Sequence, residues 1–348
     1  MEHLTAANTQ FCLDLFKKIR KENASGNVFF SPVSISSALA MVSLGARGNT
    51  ADQMNKVLGF NKEPPMMQQT QSPPTPAELK KCPQEKPEDQ IHSSFNKFMS
   101  ELNKPGVPYA LSLANRLYGE QSYQFVEEFL NDAKSYYEAG LEKVDFISQS
   151  EAARVNINKW VEKKTQEKIK DLLPQGSIDE MTKLVLVNAI YFKGNWENKF
   201  PKEDTRDGQF KLNKLEKALT YEKLMEWTKP EVMPQQEVQI SLPRFKMEEK
   251  YDMKSLLISM GMKDVFDLQK VNLSGMSSNN DLVLSKVIHK AFVEVNEEGT
   301  EAAAATGAIV MVDCCRFPQV FNADHPFLFF IRHNPSKSIL FYGRFCSP

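Results

Sequence analysis

The sequence has no excess of charge of either sign: 43 Lys and Arg stand against 44 Asp and Glu, a formal net charge of -1 over 348 residues. That balance removes the electrostatic footprint of a nucleic-acid binder, and no acidic tail marks a charged partner. Cysteine is scarce. Cys12, Cys82, Cys314, Cys315 and Cys346 are odd in number and scattered, so they outline no disulfide framework. No Cys/His cluster has zinc-ligand spacing, and no metal or cofactor is expected. No apolar run reaches membrane-spanning length, which argues against a membrane partner. The opening MEHLTAANTQ lacks the basic flank and apolar stretch of a secretory leader. Together these absences predict a soluble, cytoplasmic protein of a reducing compartment. The triplets Asn23-Ala-Ser and Asn272-Leu-Ser match the glycosylation pattern, which has meaning only in a secreted chain.

What is present is ordinary globular material. The chain is 41% hydrophobic and 25% charged, enough to build a sizeable core. Phe11, Leu13, Leu15, Phe16 and Ile19 give the first segment a helical apolar face. A short strand over 27–32 ends in Ser-Pro, and a second helix over 34–44 is stopped by Gly45 and Gly48. Helical pattern recurs over 91–102, near 126–137 and over 152–173, where Pro174 stops it. Strand pattern is found at 109–118, 144–146, 238–245 and 282–295. Residues 183–192 are the near-continuous apolar run of a central buried strand. Two more strands, 327–332 and 339–345, flank a polar turn. No internal repeat is found. The mixture predicts an α+β fold with helices packed on large sheets.

Residues 61–90 stand apart. Seven prolines fall between Pro64 and Pro87 among Gln, Lys, Glu and Thr. Such a stretch buries too little apolar surface to offset its ordering cost, so it is expected to be a mobile loop, with a docking segment as the lesser reading.

The segment from Leu284 carries the functional signal. A β-forming run ends at Val295, small residues fill 299–308, and Pro318 closes a varied stretch. Two readings of the small-residue tract stand. Alanine is the best helix former, so 300–305 can be a short exposed helix. In β geometry, Thr300, Ala302, Ala304, Thr306, Ala308 and Val310 share one face without a charge or a large group. A strip of that kind can slide between two existing strands, with Glu301 left on the opposite, solvated face.

These residues resemble a known family. VNEEGTEAAAAT, followed after a variable stretch by FNADHPFLFFIRHN and ILFYGRFCSP, resembles the hinge, bait loop and C-terminal strands of a serpin. NVFFSPVSISSALAMVSLGARGNTADQM, LVNAIYFKGNW and ISLPRF resemble the family's other signatures, so nearly the whole chain is covered. The lack of a leader and the FCSP ending are similar to the ovalbumin-type, mostly intracellular subgroup, in its leukocyte-elastase-inhibitor-like branch. The resemblance implies one serpin domain over 1–348, a large central sheet with helices, an exposed reactive-centre loop over 299–318, and a monomer. It also allows release to the extracellular space by an unconventional route.

It further implies an inhibitor, not an enzyme. A protease attacks the loop as a suicide substrate, an acyl-enzyme forms, and the cut loop inserts into the main sheet. On the order of ten new ladder hydrogen bonds at about 1 kcal/mol net each supply roughly 10 kcal/mol. Matched residue by residue, Gly299, Thr300, Glu301, Ala302, Ala303, Ala304 and Ala305 correspond to the hinge. Asp313 and Cys314 flank the expected scissile bond, with Cys314–Cys315 and Arg316–Phe317 as runners-up. An acidic residue there suits a basic specificity pocket, that of a granzyme-B-like serine protease or a caspase; an elastase-like serine protease is the other candidate partner. Ser31, Ser34, Asn188 and His289 correspond to the shutter under the sheet, and Trp196 to the breach where insertion begins. Taken alone, His289 reads as a satisfied core histidine and Trp196 as packing. A cysteine protease built on Cys314 or Cys315 with His289 or His325 has no supporting context.

One departure from the family is large. After FKLNK, ending at Lys214, the chain passes directly to LEKALTYEKLMEWTKPE. Family members carry roughly four further strands at this point, about fifty residues at typical strand lengths. Those strands form much of the second sheet, next to 327–332 and 339–345. Their loss keeps a second function open, that of a non-inhibitory serpin-like interaction protein or an inactive isoform.

Overall fold

The computed structural model describes residues 2–61, 87–211, 220–234, 236–279, 281–299 and 319–347. In chain order the main elements are α1 (Glu2–Glu22), β1 (Val28–Phe30), α2 (Pro32–Ser43), α3 (Gly48–Leu58), α4 (Pro87–Leu102), β2 (Tyr109–Glu120) and α5 (Glu127–Tyr137). They continue with β3 (Leu141–Val144), α6 (Phe146–Lys164), β4 (Leu184–Gly194), α7 (Tyr221–Trp227), β5 (Val238–Ser241) and β6 (Phe245–Asp252). The last are α8 (Met253–Met260), β7 (Leu284–Val295), β8 (Gln319–Asn322), β9 (Phe327–His333) and β10 (Ser338–Phe345). The fold is α+β.

The largest sheet has the order β3-β2-β4-β7-β6, and β4 and β7 at its centre run parallel. Strand alternation sends successive residues of each central strand into different cores. Val185, Val187, Ala189 and Tyr191 of β4, with Ile288 and Phe292 of β7, pack under Ala153, Ile157 and Val161 of α6. On the other face, Ile190, Ala291 and Val293 meet Phe29, Leu340 and Phe341 of the antiparallel sheet β1-β10-β9. Between the sheets lies α2, which is almost entirely buried. Its start is set locally: Ser31 is the N-cap, its hydroxyl accepting from the Ser34 N–H, and Pro32 opens the helix where no donor is needed.

Several local expectations are corrected. Gly45 ends α2, but Gly48 starts α3 instead of a loop. The loop expected through residue 90 ends earlier, because α4 begins at Pro87; residues 62–86 lie outside the described residues. The strand expected at 144–146 stops at Val144, since the Asp145 carboxylate accepts from the Ser148 N–H and makes Phe146 the first residue of α6. That helix ends at Lys164 and not at Leu173. The Thr165 hydroxyl donates to the Val161 carbonyl and accepts from the Ile169 N–H, and Gln166, Glu167 and Asp171 take positive φ. The strand expected over 238–245 breaks at Pro243, with β5 pairing to β8 and β6 to β7.

Candidate functional site: the mouth between the central strands

Parallel pairing of β4 with β7 runs from Leu184↔Leu284 to Tyr191↔Phe292 and stops there. Above that point each strand keeps only its outer neighbour: Phe192, Lys193 and Gly194 pair with β2, while Val293, Glu294 and Val295 pair with β6. The two central strands therefore part at their C-terminal ends.

The chain leaving β7 turns back across this mouth. The Asn296 N–H donates to the Gly299 carbonyl at 2.9 Å, and Gly299 N–H returns a bond at 3.3 Å. Gly299 then forms an antiparallel bridge with Asn195. Its φ is +128°, and a Cβ there would lie 2.3 Å from the Gly194 carbonyl oxygen and 2.7 Å from the Asn195 Cα. Only glycine permits that approach. Trp196 completes the stitching, donating its backbone N–H to the Glu298 carbonyl at 3.1 Å and its indole Nε1–H to the Asn296 carbonyl at 2.9 Å. The indole is 37% exposed and stands edge-on to Phe200, so it is a surface clasp as well as a packing residue. Beside it, the Thr205 hydroxyl donates to Glu297, which also pairs with Arg244 at 3.2 Å; the hydroxyl's bond is the main cause holding that carboxyl below its usual range.

Below the gap, where β4 and β7 are still paired, lies a polar network. His289 Nε2 accepts from the Ser31 N–H at 3.1 Å. The ring proton is therefore on Nδ1, which donates to Asn188 Oδ1. Asn188 Nδ2 donates to the Ser34 hydroxyl and carbonyl, at 2.5 and 3.2 Å, and to Asn115 Oδ1. The Ser31 hydroxyl donates to the Leu340 carbonyl at 2.6 Å. Five elements are tied together in this way: β2, β4, β7, α2 and β10. Complete desolvation pulls the His289 pKa down to about 3, so the ring is neutral. A neutral, doubly bonded and fully buried imidazole is unavailable as a base for a cysteine nucleophile.

Ser31, Ser34, Asn188 and His289 thus meet in one cluster, and Gly299 and Trp196 meet at the mouth above it. Thr300, Glu301, Ala302, Ala303, Ala304, Ala305, Asp313 and Cys314 lie outside the described residues. Asn115, the Leu340 carbonyl and Tyr251, whose ring lies parallel to His289 at 6.4 Å, belong to the cluster without having been expected there. Asn115 is in strand register with Asn188, a pairing that only the folded sheet shows.

A parted pair of parallel central strands, with the following chain bridging antiparallel at the gap, is the frame of the site, and the chain that builds it belongs to the serpin family. The family profile described as "Serpin (serine protease inhibitor)" matches residues 6–214 and 211–348. The chain is accordingly a protease inhibitor by family and not an enzyme. The leukocyte elastase inhibitor of Equus caballus is 45% identical over 404 aligned positions, covering all of both chains. Serpin B6 of Macaca fascicularis is 45% identical over 400, again covering both in full. The crystal structure of uncleaved ovalbumin superposes with a TM-score of 0.82 at 34% identity, covering 99% of this chain and 100% of that one. These relatives make it an ovalbumin-type serpin. The family match is broken at 211–214, where the sequence skips from FKLNK to LEKAL, and both alignments are longer than this chain's 348 residues.

Proposed function

We propose that this chain inhibits a chymotrypsin-fold serine protease as a suicide substrate. The protease's nucleophile attacks the Asp313 carbonyl carbon, the Asp313–Cys314 bond breaks, and Cys314 leaves as a free amine. Residues from Thr300 onward then enter between β4 and β7. The observation that carries this reading is the bridge Gly299↔Asn195. A strand continued from Gly299 would run antiparallel to both parallel neighbours and complete a ladder with each. Asp313 favours an Asp-directed, granzyme-B-like enzyme, with a caspase as the cysteine-protease counterpart, while the names of the relatives favour an elastase-like one. The inhibitor acts as a monomer in the cytoplasm, with 299–318 as its reactive segment and Ser31, Ser34, Asn188 and His289 controlling the gap. Incubation of the full chain with each protease, followed by a denaturing gel, tests it: a covalent complex is expected, and clean cleavage without one defeats it.

A second reading, a serpin-like binding protein that does not trap proteases, has its own support. Among the described residues β9 has a hydrogen-bonded partner on one side only, β10, and all seven of its residues are half-buried. Lys211, the last described residue before the family match is interrupted in sequence, donates its N–H to the Asp324 carbonyl at 2.7 Å, three residues before β9 begins.

A further inference from the structure

The ribbon formed by β5 and β8 is uncharged over all eight of its residues. Its register sets Gln239 beside Val320 and Ile240 beside Phe321. Ile240 is 47% exposed, Val320 62% and Phe321 54%. Because successive strand residues point to opposite faces, exposure of both Val320 and Phe321 means that neither face is fully covered among the described residues. Of the charges beside the ribbon, Arg244 pairs with Glu297, and Asp324 with Lys211 at 2.6 Å and His325 at 2.9 Å, while the exposed Glu237 lies at its edge, just before β5. Concentrated apolar exposure beside a functional segment marks an interaction surface, and depletion of charge with retention of an aromatic is the composition of an interface centre.

The place of the ribbon in the chain says what covers it. Gln319 is the first described residue after the segment on which the proposed inhibitor is cut. From Asp313 to Val320 the chain spans at most about 25 Å when fully extended. A protease of some 220 residues has a radius of gyration of about 17 Å and is roughly 45 Å across. An enzyme seated on Asp313 therefore has the ribbon within its reach, on the leaving-group side of the cut. We infer that Ile240, Val320 and Phe321 form an apolar docking surface for the attacking protease, selecting an enzyme whose rim beside the leaving-group subsites is apolar and uncharged. This rests on the proposed inhibitor reading and adds a determinant outside the cut segment.

The test uses the full chain, an elastase-like and an Asp-directed serine protease, and the free peptide of residues 306–318 as the substrate lacking the ribbon. The readout is the second-order rate of loop cleavage, followed by release of the C-terminal fragment, so it is scored whether or not a covalent complex forms. Val320→Ser with Phe321→Ser should slow cleavage of the chain by about tenfold with at least one enzyme, down toward the rate of the free peptide. Ile240→Ser, on the strand not joined to the loop, should slow it in the same direction. Thermal unfolding should be unchanged, since all three side chains are about half exposed. Rates within twofold of the parent for both enzymes overturn the inference while leaving the trapping result untouched. A parent dimer that the double variant dissociates, with cleavage unchanged, assigns the ribbon to self-association and also overturns it. A chain that neither protease cuts loses both this inference and the proposed function.

Discussion

Gly299 and Asn195 face each other as an antiparallel bridge across the open end of the two central strands. One belongs to the chain leaving β7, the other to the chain leaving β4. The gap is thus already occupied at its mouth by the residue from which an inserted strand would begin.

Substituting Gly299 tests that arrangement. An alanine at φ +128° is strained by about 1–3 kcal/mol, and its Cβ would collide with the Gly194 carbonyl. Gly299→Ala should lower the thermal midpoint by a few degrees. It should also speed hydrogen exchange at the Trp196 amide, which donates to the Glu298 carbonyl. An unchanged midpoint with unchanged exchange would mean that the bridge is not formed in solution.

The His289 network predicts a pH dependence. The ring has a folded pKa near 3 against an ordinary value near 6.5 when the chain unfolds. Between these values the unfolded state binds the proton and the folded state does not. Stability from this group is therefore complete above pH 6.5 and is lost as pH falls, at roughly 1.4 kcal/mol per unit. By pH 5 the loss is about 2 kcal/mol. His289→Asn should be less stable at pH 7.5, because the Ser31 N–H loses its acceptor, yet should lose less on acidification. Urea unfolding at pH 7.5, 6 and 5 checks this; equal slopes for variant and parent would assign the acid sensitivity elsewhere.

Lys290 lies on the α6 side of β7, nearly buried. Its ammonium donates to the Lys170 carbonyl at 2.8 Å and pairs with Glu248 at 2.5 Å. It ties the irregular segment after α6, with its positive-φ residues Gln166, Glu167 and Asp171, down onto the central sheet. Lys290→Met keeps much of the volume but leaves that carbonyl without its donor. A loss of about 1–3 kcal/mol is expected, with faster proteolysis within residues 166–173. Proteolysis at the parent rate would show that the segment is held by Ile169, Leu172 and Leu173 alone.

The strand β4 was legible because burial on both faces leaves a near-continuous apolar run, Leu184–Tyr191, broken only by Asn188. Boundaries were lost where one hydroxyl or ring overrides periodicity. Ile169, Leu172 and Leu173 continue the helical spacing of α6, yet the Thr165 hydroxyl draws the backbone out of the helix before them. Pro243 likewise splits one apolar stretch between two sheets. Of the candidate site, Ser31, Ser34, Asn188 and His289 followed from resemblance and not from pattern. A buried hydrogen-bond network joins residues 31 and 289, far apart in sequence, and leaves no local trace. Asn115 was missed for the same reason: its meaning lies in its strand partner.

The most direct test of the account joins a gel to a mass measurement. The full chain is incubated with an Asp-directed, chymotrypsin-fold serine protease, resolved under denaturing conditions, and the released C-terminal fragment is weighed. The account predicts a detergent-resistant complex of chain and protease, with a fragment that begins at Cys314. Stoichiometric cleavage within 306–318 that leaves active protease and no complex would contradict it, and would leave the binding-protein reading in its place.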